Sequence, residues 1–265
     1  EFFEKVSECK VNRLSIGLQS ANDGERRILG RRADKHEVLG AVSRAKEAGI
    51  GNISLDVMLG VPGQTKESLK STLDFCISSG VPHLSCYILK IEENTPFFRM
   101  RNKLPFPSDD DTADMYLFMC EYLEEHGIMQ YEISNFAVPG FESRHNLKYW
   151  HDEEYLGIGA SAHSFLGGKR TYYPSDIEYF ISGNERLTEG DGGDEEEFCM
   201  LALRLREGLT QERFYARFHH EIPQKMLESA KQYEKYGLCS CENGGISLTR
   251  RGFLLSNSVI SEIIL

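Results

Sequence analysis

A chain of 265 residues can bury one large α/β core and a smaller one, or two of middling size, so its stability does not depend on covalent staples. Its formal net charge of −11, with no run of Lys or Arg longer than two, supplies no concentrated basic face for phosphates and argues against nucleic acid as a partner. No apolar run reaches membrane-spanning length and no signal peptide is visible in these residues, and the seven cysteines lack any CxxC spacing, a pattern expected of reduced thiols in a cytoplasmic protein.

Glu1 to Glu8 reads as the middle of an amphipathic helix leading into a strand. On that ground the chain is expected to be a fragment or processed form whose earlier strands are absent. In the stretch from Arg13 to Ser20, Leu14, Ile16 and Leu18 fall on one face and Ser15, Gly17 and Gln19 on the other. Helices are expected over 22–30 and 35–49, followed by a second strand in which Ile53, Leu55, Val57 and Leu59 oppose Ser54, Asp56, Met58 and Gly60. A parallel strand covered by helices on both sides would be apolar throughout. Two strands with polar carboxyl ends therefore suggest a barrel whose interior is a binding site.

After the turn Gly60-Val-Pro-Gly-Gln-Thr65, Thr65 is an N-cap for a helix reaching Ser79, and a third strand over 83–89 completes a βαβαβ series with right-handed parallel crossovers. Residues 90–108 read as a loop, 109–126 as an amphipathic helix with acids in its first turn, and 130–134 as a further strand. The barrel portion is taken as 1–187, the acidic glycine-rich stretch 188–197 as a linker, and 198–265 as a terminal module of three helices, a hairpin with Asn243-Gly244 at its tip and a last helix. That order is winged-helix-like, but without a strongly basic recognition helix it suits packing or protein interaction better than DNA. The pair Cys239-Ser-Cys241 is read as incidental rather than as a metal site.

Five ordered motifs carry a resemblance: Arg13-Leu-Ser-Ile-Gly-Leu-Gln-Ser20, Leu55-Asp-Val-Met-Leu-Gly-Val-Pro-Gly-Gln-Thr65, Gln130-Tyr-Glu-Ile-Ser-Asn-Phe-Ala137, Arg144-His-Asn-Leu-Lys-Tyr-Trp150 and Tyr155-Leu-Gly-Ile-Gly-Ala-Ser-Ala-His-Ser164. Together they resemble the radical S-adenosylmethionine (radical SAM) proteins related to oxygen-independent coproporphyrinogen III oxidase, above all their heme-chaperone, HemW-type branch. The resemblance implies an α/β fold, the later half of an open six-stranded (β/α) barrel followed by the terminal module. It also implies a [4Fe-4S] cluster on a CxxxCxxC loop, which this chain does not contain and which is expected upstream of Glu1. Without those cysteines the chain by itself is expected to be inert in radical chemistry.

By the same resemblance Gln19 is a contact to S-adenosylmethionine, Arg31 a clamp on its carboxylate, Asp56 an inward carboxylate of its pocket and Met58 an apolar wall for adenine. The residues alone also allow a turn-capping Gln19, the neighbouring Arg32 in place of Arg31, a barrel salt bridge at Asp56 and a gap-filling Met58. His145, Asn146 and Tyr149 resemble the segment implicated in heme binding, with His145 a candidate ligand of heme iron. His163 sits in a small-residue loop that would let backbone approach a planar ligand, or else is a solvent-facing turn residue. The function implied is a chaperone that accepts heme and passes it to hemoproteins of the respiratory chain. The alternative is the anaerobic oxidase that decarboxylates two propionates of coproporphyrinogen III.

Overall fold

The computed structural model describes residues 1–264, which divide into two compact units, Glu1–Glu142 and Ser143–Leu265. In the first, α1 (Phe2–Glu8), β1 (Arg13–Gln19), α2 (Asp23–Ile28), α3 (Lys35–Glu47), β2 (Asn52–Leu59), α4 (Lys66–Ser78) and β3 (His83–Ile88) follow the expected alternation. Local chemistry sets the helix starts. Asn22 and Asp34 accept backbone N–H groups at the heads of α2 and α3, and Thr65 with Ser68 closes a reciprocal cap on α4. Gly49, at φ +85°, turns the chain out of α3 directly into β2.

Strands β1, β2 and β3 pair in parallel. One face of β2 is wholly apolar, with Ile53, Leu55, Val57 and Leu59 fully buried. Val42 and Ala45 of α3 and Leu69, Leu73 and Cys76 of α4 are buried as well, as the covering helices of a β/α layer should be. The other face carries Ser54, Asp56 and Met58, so the alternation read from the sequence is the alternation of the fold. The sheet is open rather than closed, in the order β1-β2-β3-β5-β4.

The region after β3 departs from the reading in two places. A short helix, α5 (Pro96–Met100), lies inside the expected loop ahead of α6 (Asp109–Glu125). The strand expected over 130–134 is instead a tight antiparallel pair, β4 (Met129–Gln130) and β5 (Asn135–Ala137). Glu132 takes the side-chain amide of Asn135 and the Tyr131 N–H donates to the Asn135 carbonyl at 3.2 Å, so polar groups within the segment fold it back on itself. As a result β5 joins β3 antiparallel.

The second unit contains α7 (Arg144–Trp150), an antiparallel sheet of β6 (His163–Leu166), β7 (Lys169–Tyr172) and β8 (Leu187–Asp191), with α8 (Ile177–Ile181) between the last two strands. Strand β8 and the helix after it occupy the stretch read as a linker. Its acids are structural: Asp191 pairs with Lys169, Glu189 with His163, Asp194 caps α9 (Glu195–Ala202), and Glu197 accepts the Gly193 N–H at 2.8 Å. Sequence composition reported their charge but not their partners.

Next come α10 (Gln211–Phe218) and α11 (Gln224–Glu234), the hairpin strands β9 (Cys239–Ser240) and β10 (Ser247–Leu248), then α12 (Arg250–Leu254) and α13 (Ser256–Ile264). The hairpin turns at Asn243 and Gly244, both at positive φ, as an Asn-Gly tip requires. Next to the tip it is pinned by a bridge from Leu209 to Ile246. Phe214, Leu248 and Ala230 are fully buried in this core. Gly252 is required by close approach, since a Cβ there would fall 1.9 Å from the Leu238 carbonyl oxygen. Among the described residues no helix is long and apolar enough to cross a membrane.

Candidate functional site

The polar face of the first unit is laid out by strand register. Ser15 stands opposite Ser54 and Gly17 opposite Asp56, while Ser54, Asp56 and Met58 face His83, Ser85 and Tyr87. Asp56 is half-buried, and its Oδ1 accepts a hydrogen bond from Ser15 Oγ at 2.7 Å. Its described partner is thus a hydroxyl rather than a cation, so the salt-bridge alternative does not account for it.

Gln19 reaches the same face by a route the alternation did not contain. The strand bulges between Gly17 and Gln19, and Gln19 adopts a left-handed φ of 68°. Its side chain then folds back so that Nε2 lies 2.9 Å from where a Cβ on Gly17 would be. Glycine at that position leaves room for the amide, over the residue that pairs with Asp56. A positive φ at a non-glycine residue costs free energy and is kept where surrounding structure enforces it.

Met58 is half-buried, and its carbonyl is held by Gln64 Nε2 at 2.9 Å. Gln64 Oε1 accepts the Gly60 N–H at 2.8 Å, so one buried amide fastens both ends of the turn at the end of β2. Arg31 and Arg32 are both exposed on the segment after α2. The buried arginine of this region is Arg26, 3% exposed, whose guanidinium is spent on Asp23 and on the Ser20 carbonyl at 3.2 Å.

Beneath the polar face lies a cluster that sequence reading passed over. His83 is fully buried at the start of β3, with Nδ1 2.8 Å from Ser54 Oγ and Nε2 2.9 Å from the Tyr131 hydroxyl; Ser54 Oγ is 3.2 Å from Ser85 Oγ. Burial, aided by the charge of Arg13, pushes its pKa down to about 3, so the ring is neutral. At the outer end of β3 the Tyr87 side chain is 44% exposed, and burial of its hydroxyl raises its pKa.

In the second unit Ser143 caps α7, a helix with no buried residue. His145 is exposed and Asn146 half-buried. The i,i+4 spacing stacks His145 against Tyr149, with ring centroids 5.0 Å apart at 87° and Nε2 2.9 Å from the phenol oxygen. Tyr149 meets Tyr155 edge-on at 4.6 Å. His163 is not in the loop expected for it but is the first residue of β6; there it stacks on Tyr172 at 5.4 Å and lies 3.1 Å from Glu189. The two histidines belong to different constellations.

Behind α7 sits a second cluster missed in the sequence. Asp152, its side chain 1% exposed, lies 3.5 Å from Arg170 and 3.3 Å from Arg217, and Arg170 also pairs with Glu197 at 2.6 Å. Burial and the neighbouring Glu197 push Asp152 up to about 6, against the pull of Arg217 and Arg170. Among the described residues no group of three or more His, Cys, Asp or Glu is placed to hold a metal ion. Cys76, Cys86, Cys120, Cys199 and Cys239 are buried, and burial raises the thiols of Cys199 and Cys239 to about 12. These donors do not fit a [4Fe-4S] cluster.

Residues 1–76 match the radical SAM superfamily and residues 195–255 the HemN C-terminal domain. The heme chaperone HemW of Bacillus subtilis is 35% identical over 98% of this chain and 71% of its own length, and that of Lactococcus lactis 33% identical over 100% and 72%. Among solved structures, the radical SAM enzyme coproporphyrinogen III oxidase (HemN) from Escherichia coli superposes with a TM-score of 0.79 at 20% identity. That alignment covers 99% of this chain and 66% of the other, and it supports the partial-barrel fold.

Proposed function

Because the chain belongs to the family of the heme chaperone HemW, we propose that it binds heme at the exposed His145–Tyr149 face of α7 and hands it on to a hemoprotein. The observation that carries this reading is the disposition of one imidazole. In the tautomer whose Nε2–H donates to the Tyr149 oxygen, 2.9 Å away, Nδ1 keeps its lone pair, and an exposed ring can present that nitrogen to iron. Leu156 and Ile158, 52% and 79% exposed in the segment after Tyr155, add apolar surface for a porphyrin face. An open site suits cargo that must be released.

The polar rim of β1 and β2 is assigned to S-adenosylmethionine. The placement of the Gln19 amide over Gly17, the register partner of Asp56, supports this, with Met58 two residues on as the proposed apolar wall and the exposed Arg31 as the proposed carboxylate clamp. Bound there, the cofactor would supply its sulfonium centre. Gln19 offers a donor and an acceptor for the ribose, while the free Asp56 oxygen accepts from a hydroxyl or ammonium group. Because the chain's own cysteines do not fit the cluster, the chemistry that depends on it is not assigned to these residues.

Hemin titration tests the heme reading: His145→Ala should lose the shifted Soret band and bind at least about tenfold more weakly, with circular dichroism unchanged. An unaltered spectrum would exclude His145 as the ligand and move attention to His163. Anaerobic turnover of coproporphyrinogen III would replace the chaperone reading with the oxidase.

A further inference from the structure

We infer that Tyr155 and Arg170 are positioning residues for the His145–Tyr149 pair, tying it to the helices of the terminal module; this rests on the heme reading above. The connection is continuous in the side chains. Tyr149, which holds His145 Nε2, packs edge-on against Tyr155 at 4.6 Å. The Tyr155 hydroxyl accepts from Arg170 Nη1 at 3.2 Å, and the Tyr155 backbone is locked to Phe165 by two N–H to carbonyl bonds of 2.9 Å. Arg170 also lies over the Phe165 ring at 4.7 Å.

The other end of that guanidinium engages Asp152 and Glu197, and Asp152 in turn engages Arg217. Glu197 belongs to α9 and Arg217 to α10, so one arginine links the segment after α7 to the module through a phenol and two carboxylates. The backbone is shaped for this. Asp152 takes a left-handed φ of 53° at the end of α7, where glycine is usual, and so turns a carboxylate inward. A Cβ on Gly192 would lie 2.8 Å from Arg170 Nε, and one on Gly193 2.6 Å from Arg217 Nη2; both glycines are required by the close packing of the two arginines.

A ring that must meet iron at a fixed angle depends on the groups that orient it. Here the outermost group is an exposed histidine on a seven-residue helix with no buried side chain, so its orientation comes from Tyr149 and what lies behind it.

The test is a hemin titration of the whole chain, read by Soret position, affinity and circular dichroism, for wild type, Tyr155→Phe, Arg170→Met, Arg170→Lys and His145→Ala. Tyr155→Phe removes only an oxygen; it should shift the Soret band and weaken hemin by about tenfold with the dichroism intact. Arg170→Met should do the same, and Arg170→Lys, which keeps the charge but cannot span the phenol and both carboxylates, should fall between. If Arg170→Met does not fold, Tyr155→Phe decides. A wild-type spectrum and affinity in Tyr155→Phe, beside a His145→Ala that loses its Soret shift, overturns the positioning role and leaves the heme reading standing. A His145→Ala indistinguishable from wild type overturns both.

Discussion

Each of the two units holds a buried titratable group beside its candidate site residues, and the two groups are opposites. In the first unit His83 is held by hydroxyls alone, and burial keeps it neutral. In the second, Asp152 has two arginines at hand but shares them with Glu197, and its pKa is raised. A neutral, hydrogen-bonded base stiffens a sheet without needing a counter-charge, which suits a rim that must hold several groups of one ligand. A charged junction joins the segment after α7 to α9 and α10, and its strength depends on proton concentration.

The largest effect expected from breaking this contrast is at His83. Its replacement in His83→Leu leaves the Ser54 and Tyr131 hydroxyls without the ring and should cost about 3 kcal/mol, measured by urea unfolding. In the wild type this group confers its full stability above pH 6.5, and stability is lost as pH falls toward 3, because the unfolded chain takes up the proton that the buried ring refuses. A His83→Leu midpoint within error of wild type would show that the cluster does not support the sheet.

Next in size is Asp56→Ala, assayed for S-adenosylmethionine by calorimetry in a chain extended by the cluster-binding segment that the family implies. Loss of a carboxylate that accepts from the ligand should weaken binding by about 2 kcal/mol. Unchanged affinity with the fold intact would leave Asp56 as no more than the partner of Ser15.

The smallest effect sharpens the comparison through its sign. Asp152 has a raised folded pKa, so its contribution to stability is complete below its ordinary value near 3.8 and is lost as pH rises through about 6. Between those limits the second unit should gain up to about 1.4 kcal/mol per pH unit from this group on acidification, while His83 makes the first unit lose stability. Hydrogen exchange corrected for intrinsic rate, compared at β3 and at β7, reads both at once. Asp152→Asn should flatten the response at β7 and leave β3 as it was; equal slopes in variant and wild type would remove Asp152 as its source.

Much of the fold was legible in the sequence because its signals are local. Periodicity of two along 13–20 and 53–60, the cap at Thr65, and the Asn243-Gly244 tip each depend on residues a few positions apart, and all appear in the structure. Asp56 and Met58 were placed on the polar face for the same reason, since a polar or flexible residue stood out against an apolar alternation. The same rule put Gln19 on that face but missed the bulge before it, which inserts one residue, resets the count and pairs Gln19 with Val57.

The errors and omissions share a different cause. Glu132 read as part of a strand, and Glu189 and Asp194 as linker acids, because charge is visible in a sequence and its partner is not. His83, Asp152 and Arg170 bore no motif; their roles come from Tyr131, Arg217 and Tyr155, at separations of 48, 65 and 15 residues. By itself the sequence determined the order of elements as far as β3, the polar rim of the sheet and the His145–Tyr149 spacing, since each is a matter of backbone geometry over one or two turns. Only the tertiary structure decided which polar groups are neutralised by burial, which are paired, and which side chains hold the candidate ligands in place, because desolvation and pairing depend on segments that meet only when the chain has folded.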